Sequence, residues 1–464
     1  MKPMLLSKVA TACHGRFEGA DCTITQLQTD TRALQGDLST TLFVALKGEN
    51  FNGHDHLQAA QQAGVAAALV SQPVAIEGLS TIVVADTELA LAHLATWVQA
   101  HRTAKVVAIT GSNGKTSVKT LTESVLRQAG KTYATPGNRN NEIGMPLAVI
   151  DAPEDAEFAI YEMGTGKPGD IQYLTRIAQP LVGLVNNVAP AHLERMGSLL
   201  NIADTKAAVY DDLRPQGVAV INADDAFAPY FADRAHGHRI VRFGLNATAD
   251  VSATDVVLGA DDSEFTLQTA LGPARVRIAF PGEHNVRNAC AAAAIAIGLD
   301  VGLEPIVAGL QAAVQVQGRL IALQTPQGAT LIDDSYNANP GSMGAAIDTL
   351  ASAARAHGHE AWFVMGDMRE LGDNAEAMHR EVGRRAKAAG IVRLLALGPL
   401  SAAAADTFGE GAEIFSTHDE LADALRAVLN PNVRVLVKGS RGSAMDKVVR
   451  AIVPVASNGG THAA

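Results

Sequence analysis

The sequence predicts an α/β chain of three domains: a small α/β unit, a central parallel-sheet phosphate-loop domain, and a C-terminal Rossmann-like unit. Three observations carry this. The chain has 464 residues, too many for one core. An apolar run, Val106–Ile109, enters the glycine loop Thr110-Gly111-Ser112-Asn113-Gly114-Lys115-Thr116, and a helical pattern leaves it at Val118, Leu121 and Val125. Beyond about Gly318, a second set of strand-like runs alternates with helical stretches, which implies a separate parallel sheet.

Composition narrows the class. Hydrophobic residues are 47% and charged residues 18%, as in ordinary soluble domains. A net charge of −11 with only 4% aromatic residues argues against a nucleic-acid partner, which needs a basic face and stacking platforms. Cys13, Cys22 and Cys290 lack metal-ligand spacing and read as reduced thiols, so a cytoplasmic protein is expected. No leader-like start and no membrane span is read from the chain.

The first zone, 1–86, has strand-like runs at 41–46, 66–70 and 81–84 and a helical stretch at 57–63. Residues 88–101 place Leu91, Leu94, Ala95 and Val98 at helical spacing, suiting a connecting helix. The central zone, 87–317, has strand-like runs at 158–161, 181–185 and 218–221. Residues 250–278 alternate and predict an antiparallel flap. An Ala-rich helix is expected over 288–299, capped by Gly298 or Gly302. In the third zone, 318–455, runs at 330–332, 362–365, 394–397 and 433–437 alternate with helical stretches near 343–356, 375–389 and 421–429. Residues 456–464 are expected to be a flexible tail.

The loop after the first central strand is the chemical centre. Its amides and the following helix N-terminus suit an anion, Lys115 can reach outer phosphates, and the Thr116 hydroxyl can hold Mg²⁺. The usual motif opens with a glycine where this chain has Ile109; Gly111 leads instead, making a compact variant. Glu162 ends a strand-like run and is either a metal ligand or a solvated carboxylate. His192 follows another strand and is either structural or a ligand. Lys206, with Ile202, Val209 and Leu213 on the apolar side of its stretch, reads on its own as a surface lysine.

Other segments remain open on residues alone. Thr135–Leu147 is rich in Gly, Asn and Pro, which make turns and also suit a polar substrate. Arg319 could neutralise a transferring phosphoryl group, and Asp334 could accept ribose hydroxyls. Lys438-Gly439-Ser440-Arg441 is a basic strand end that either faces solvent or binds an anion.

Together these segments resemble the Mur ligase family, the ATP-dependent amino-acid ligases of peptidoglycan precursor synthesis. The resemblance rests on the compact loop, on Glu162-Met163-Gly164 and on Gly282–Asn288. It also rests on Asp334-Ser335-Tyr336-Asn337-Ala338-Asn339-Pro340, on Lys438–Arg441, and on Thr29–Arg32 with Leu42–Gly48 and Phe51–Asp55. It implies a UDP-sugar-binding first domain using Thr31, Arg32, Phe43, Gly53 and His54. It further implies an ATP site of Gly111, Ser112, Asn113, Gly114, Lys115, Thr116, Asn285, Asn288, Arg319 and Asp334. The implied acceptor contacts are Asn138, Asn140, Asn141, Tyr336, Asn337, Asn339, Lys438, Ser440 and Arg441. The implied Mg²⁺ ligands are Thr116, Glu162, His192 and a carbamylated Lys206, with Lys115, Glu162, His192, Lys206 and Arg319 carrying the chemistry.

Within the family the third-domain segments are most similar to the branch that adds D-alanyl-D-alanine to UDP-MurNAc-tripeptide, and a monomer is expected because no coiled-coil heptads or apolar interface helix stand out. The branch that adds a diamino acid carries an Asp-Asn-Pro-Arg signature absent here. Related members often have Gly-Glu after the lysine, where this chain has Ala207-Ala208. Folylpolyglutamate synthases share the compact loop but not the first domain, and an ATPase switch would lack an acceptor amine.

Overall fold

A computed structural model describes residues 1–453 apart from 49, 75 and 192. His192 and the tail expected over 456–464 therefore lie outside the described residues.

The N-terminal domain is built on five strands in the order Arg16–Glu18, Ser80–Val83, Ala67–Val70, Thr41–Val44, Gln26–Gln28. The first pair is antiparallel and the others parallel. The inner strands are apolar throughout because both faces are covered. Leu42 and Val44 face one core, while Phe43 and Ala45 face another, against Leu57 and Ala60 of helix Leu57–Ala63. Gly64 ends that helix at φ 93°, a conformation glycine adopts without strain.

The connecting helix, Thr87–Ala100, starts where Asp86 accepts the Glu88 and Leu89 amides. Its buried face, with Leu91, Leu94, Ala95 and Val98, joins a core that also contains Met145, Val149, Ile171 and Leu174 of the central domain. The first two domains thus share apolar packing.

The central sheet is wholly parallel. Its order is Arg239–Phe243, Val218–Asn222, Val182–Val185, Lys105–Thr110, Phe158–Glu162, Thr132–Ala134. From the strand Lys105–Thr110 the chain first builds to one side and later to the other. Such a reversal leaves a crevice at the carboxyl ends of the strands. Gly111, Met163 and Asn186 all lie at those ends.

The expected flap is a three-stranded antiparallel sheet, Ser252–Leu258, Ser263–Gln268 and Ala274–Ile278. Phe265, Leu267, Val276 and Ile278 pack it onto the Ala-rich helix. That helix runs Glu283–Gly298, starting earlier than expected, so Asn285 and Asn288 lie in its opening turns. Leu299, not a glycine, forms its C-cap, and Gly302 caps the start of the next helix, Leu303–Ala312.

The C-terminal sheet orders Ile321–Gln324, Thr330–Asp334, Val433–Lys438, Glu360–Gly366, Arg393–Leu397, Ala412–Phe415, parallel except for the first pair. The two edge strands were not evident from sequence, nor was the helix Pro399–Phe408. Edge strands are half exposed and carry little periodic signal.

Candidate active site

The phosphate loop is shaped by close backbone approach. Gly111 sits at φ 152°, and a Cβ there would lie 3.0 Å from the Asn186 Cβ. Gly114 caps the helix Lys115–Arg127 at φ 77°, and a Cβ there would meet the Asn186 amide at 2.6 Å. Only glycine fits both demands. Asn113 donates its backbone N–H to Asn187 Oδ1 at 2.8 Å, and Ser112 donates its hydroxyl to Ala189 O at 3.0 Å. The loop is therefore fixed from behind, with the helix N-terminus open to the crevice. Lys115 rests on the loop itself, donating to Gly111 O at 2.7 Å. Burial lowers its pKa, opposed by the Glu162 carboxylate.

Glu162 closes the strand Phe158–Glu162 and is 3% exposed, which settles it as a buried carboxylate and not a solvated one. It accepts from Thr116 Oγ1 at 3.1 Å and from Asn140 Nδ2 at 3.0 Å, and Lys119 Nζ lies 3.3 Å away. Burial pushes its pKa up. The ammonium groups of Lys119 and Lys115 more than reverse this and hold it below the usual range.

Lys206 does not behave as a surface lysine. It lies near the end of helix Leu199–Ala207 with 2% exposure. Burial first, and then the Lys115 ammonium, holds its pKa well below the ordinary value, favouring the free amine. Ala207 and Ala208 are buried beside it, so no carboxylate from those positions supports it.

The C-terminal domain completes the wall of a cavity of about 560 Å³. Arg319 donates to Thr116 Oγ1 at 3.2 Å while lying over the Tyr336 ring at 4.2 Å. Asp334 accepts from Lys438 Nζ at 2.5 Å, and the same ammonium donates to Asn337 O at 2.9 Å. Asn339 reaches the phosphate loop at Asn113. On the opposite wall, Asn186 donates to Asn288 Oδ1, and Asn288 donates to Asn285 Oδ1, a relay of amides behind the loop. One cavity thus brings together a phosphate cradle, an ionised carboxylate, several cations and a polar Asn loop.

Three family models match this chain. They are the Mur ligase family catalytic domain over 23–113, the Mur ligase middle domain over 109–296, and the Mur ligase glutamate ligase domain over 318–441. The chain belongs to the Mur ligase family. It is 41% identical over 455 residues to the UDP-N-acetylmuramoyl-tripeptide--D-alanyl-D-alanine ligase of Escherichia coli K12, covering 97% of this chain and 99% of that protein. A crystal structure of MurF from Acinetobacter baumannii superposes with a TM-score of 0.91 at 33% identity, covering 97% of this chain and 99% of that one. A second structure from that organism is described as UDP-N-acetylmuramoylalanyl-D-glutamyl-2,6-diaminopimelate--D-alanyl-D-alanyl ligase. It matches at 0.87 and 33% identity, covering 97% and 98%.

In this Mur ligase the remaining expected residues fall into two groups. Asn140, Asn141, Tyr336, Asn337, Asn339 and Lys438 line the cavity; Asn138, Ser440 and Arg441 do not. Asn138 is exposed at the loop's bend. Ser440 donates to Ala338 O and accepts from Arg369 N, so its hydroxyl holds two loops together. The Arg441 guanidinium stands 5.6 Å from the Tyr336 ring centre.

Thr31, Arg32, Phe43, Gly53 and His54 all lie on the N-terminal domain and none lines this cavity. Arg32 is exposed and paired with Asp30 at 2.6 Å. Phe43 is 1% exposed, so its side chain belongs to the core and is not presented to a ligand. Gly53 packs against Ala45, where a Cβ would lie 2.8 Å from the Ala45 Cα. His54 is fixed by Asn52 on Nδ1 and by the Ser71 N–H donated to Nε2, and burial lowers its pKa.

Sequence reasoning missed Lys119 and Phe280, and gave His284, inside the Gly282–Asn288 segment, no role of its own. Lys119 was legible in principle, since it stands one helical turn after Lys115 on the same face. His284 and Phe280 line the cavity, Phe280 from just ahead of that segment.

Proposed function

We infer that this Mur ligase joins D-alanyl-D-alanine to UDP-MurNAc-tripeptide in peptidoglycan precursor synthesis, consuming ATP. The observation that carries the reading is the convergence of Lys115, Thr116, Glu162 and Arg319 on one cavity, in a chain that aligns with the Escherichia coli ligase over nearly its whole length. The terminal carboxylate of the tripeptide forms a bond to the γ-phosphorus of ATP as the bridging P–O bond breaks and ADP leaves. The amine of D-alanyl-D-alanine then bonds the carbonyl carbon of the acyl phosphate and loses a proton. The C–O bond breaks, phosphate departs, and UDP-MurNAc-pentapeptide remains.

The physical difficulty is bringing a carboxylate against a triphosphate. The amides at the head of helix Lys115–Arg127 and the Lys115 ammonium hold the phosphates. Arg319 approaches from the other side, where charge builds on the transferring group. Each such preorganised donor is worth roughly 3–4 kcal/mol. Asn140, its side-chain amide on Glu162, and Asn141 line the same cavity.

The donor set suits Mg²⁺. Among the described residues no group of three His, Cys, Asp or Glu is placed to hold a metal, so the reading relies on Thr116, Glu162, His192 and Lys206. A buried amine whose pKa is held well below the ordinary value suits carbamylation, which would turn Lys206 into an oxygen donor. Bound Mg²⁺ supplies charge neutralisation at the phosphates. The reading includes a cytoplasmic monomer, and no helix of the described residues is long and apolar enough to cross a membrane.

The test is phosphate release from Mg-ATP with the two acceptors supplied singly and together, the tripeptide in its 2,6-diaminopimelate form first. Release that needs both, with a pentapeptide product by mass, is expected. Release with neither would make the protein an ATPase switch. Silence with both, together with turnover on a folate and glutamate, would overturn the acceptor assignment.

A further inference from the structure

Lys119 is a buried cation that the chemistry above does not use. It lies on helix Lys115–Arg127, one turn beyond Lys115, with its side chain 7% exposed. Its ammonium makes two hydrogen bonds and one ion pair. Lys119 Nζ donates to Thr135 O at 2.9 Å and to Gly137 O at 3.1 Å, and lies 3.3 Å from Glu162 Oε2. One ammonium therefore joins the phosphate-loop helix, the strand-end carboxylate and the start of the Asn loop.

The two loop carbonyls differ in what else holds them. Thr135 is already tied to the neighbouring strand, because its backbone N–H and its hydroxyl both donate to Ile160 O. Gly137 sits at φ 54° in an exposed turn, beyond that anchor. Farther on, Asn140 is pinned again: its side chain donates to Glu162 Oε1, and its carbonyl accepts from Gly164 N at 2.8 Å. The segment facing the acceptor is thus held at Gly137 through Lys119 and at Asn140 through Glu162. Both tethers converge on one carboxylate.

We propose that Lys119 is a positioning residue that fixes the Gly137–Glu142 loop against Glu162, and so sets the distance between the acceptor carboxylate and the γ-phosphate. This rests on the ligase reading above. Loss of the ammonium frees Gly137, lets the loop swing about Asn140, and leaves the phosphate cradle of Gly111–Thr116 in place. The acceptor side should suffer before the nucleotide side does.

The test is Lys119→Met, which keeps length and removes the donors. The expected result is a KM for UDP-MurNAc-tripeptide raised ~10-fold or more, as for loss of a charged hydrogen-bonding group, with KM for ATP changed less than about threefold. A second readout uses enzyme without nucleotide or metal. Amide hydrogen exchange should quicken within 137–142 and stay unchanged in helix Thr87–Ala100. If Lys119→Met does not fold, Lys119→Arg keeps the charge but lengthens the reach, and the same split is expected at several-fold. A folded variant with unchanged loop exchange, or with both KM values raised equally, would overturn the proposal. Wild-type pentapeptide synthesis in the same assay keeps that failure distinct from failure of the ligase reading.

Discussion

Asn339, at the head of helix Pro340–His357, donates its side-chain amide to Asn113 Oδ1 in the phosphate loop at 2.7 Å. Its Oδ1 meanwhile accepts the Ser342 N–H at 2.9 Å and caps its own helix. One side chain therefore starts a helix in the C-terminal domain and touches the phosphate loop of the central domain. Arg319 makes the second such contact, at Thr116. Both contacts need the two domains close together, so this is a closed arrangement, and opening must break them.

Closure can be separated from helix stability at Asn339. Replacing it with Ala removes both the cap and the cross-domain bond, and should cost about 1 kcal/mol of stability. Asn339→Asp keeps a good cap but sets a carboxylate against the Asn113 carbonyl oxygen. We expect Asn339→Asp to unfold at nearly the wild-type temperature yet to give a larger radius of gyration with nucleotide and substrates bound. Scattering curves identical to wild type would remove Asn339 from closure.

Arg319 is held by its stack on Tyr336 as well as by Thr116. Lysine keeps the charge but loses the planar stacking group and the forked donors. Arg319→Lys should lower kcat ~100-fold, as for loss of one preorganised donor, while nucleotide affinity falls much less. Near-normal kcat would show that Arg319 contributes only to ground-state binding.

Much of this site could be read from the chain because local rules and chemistry coincide there. The phosphate loop has to be glycine at 111 and 114, where Asn186 lies too close for any side chain. Glu162 follows a run of buried residues, so its place at a strand end was visible. Its ionised, triply contacted state was not, because Thr116, Lys119 and Asn140 come from three other positions. Lys206 was the strongest failure of pattern reading. Its neighbours suggested an amphipathic surface helix, yet it is only 2% exposed. Phe43 failed in the opposite direction, since a motif suggested a contact residue and strand alternation puts it in the core.

Lys206 is buried, with its pKa held well below that of an ordinary lysine. The unprotonated amine, which burial favours there, is the form that adds carbon dioxide. Lys206→Ala should lose most activity, and millimolar acetate should restore part of it by supplying carboxylate oxygens to the vacated space. Enzyme stripped of carbon dioxide in mild acid should recover on adding bicarbonate. Full activity of the variant without acetate would exclude Lys206 from the chemistry.

Acid sensitivity of the fold should trace to neutral histidines. His379 is fully buried, with Nε2 accepting the Met368 N–H at 2.9 Å and Nδ1 bonded to Ala375 O. Burial lowers its pKa. At His284, burial and then the charges of Lys438 and Arg287 bring the pKa to about 4. In the unfolded chain both titrate near 6.5. Between that value and the folded one, the unfolded state binds more protons, so stability rises with pH. Their contribution is complete above pH 6.5 and is lost as the pH falls below it, for His284 down to about 4. For His284 the full swing is roughly 3 kcal/mol. Urea unfolding at pH 7.5 and pH 5 should show a lower free energy at pH 5, and His284→Gln should shrink that difference. An unaltered pH dependence in the variant would assign the acid loss to other groups.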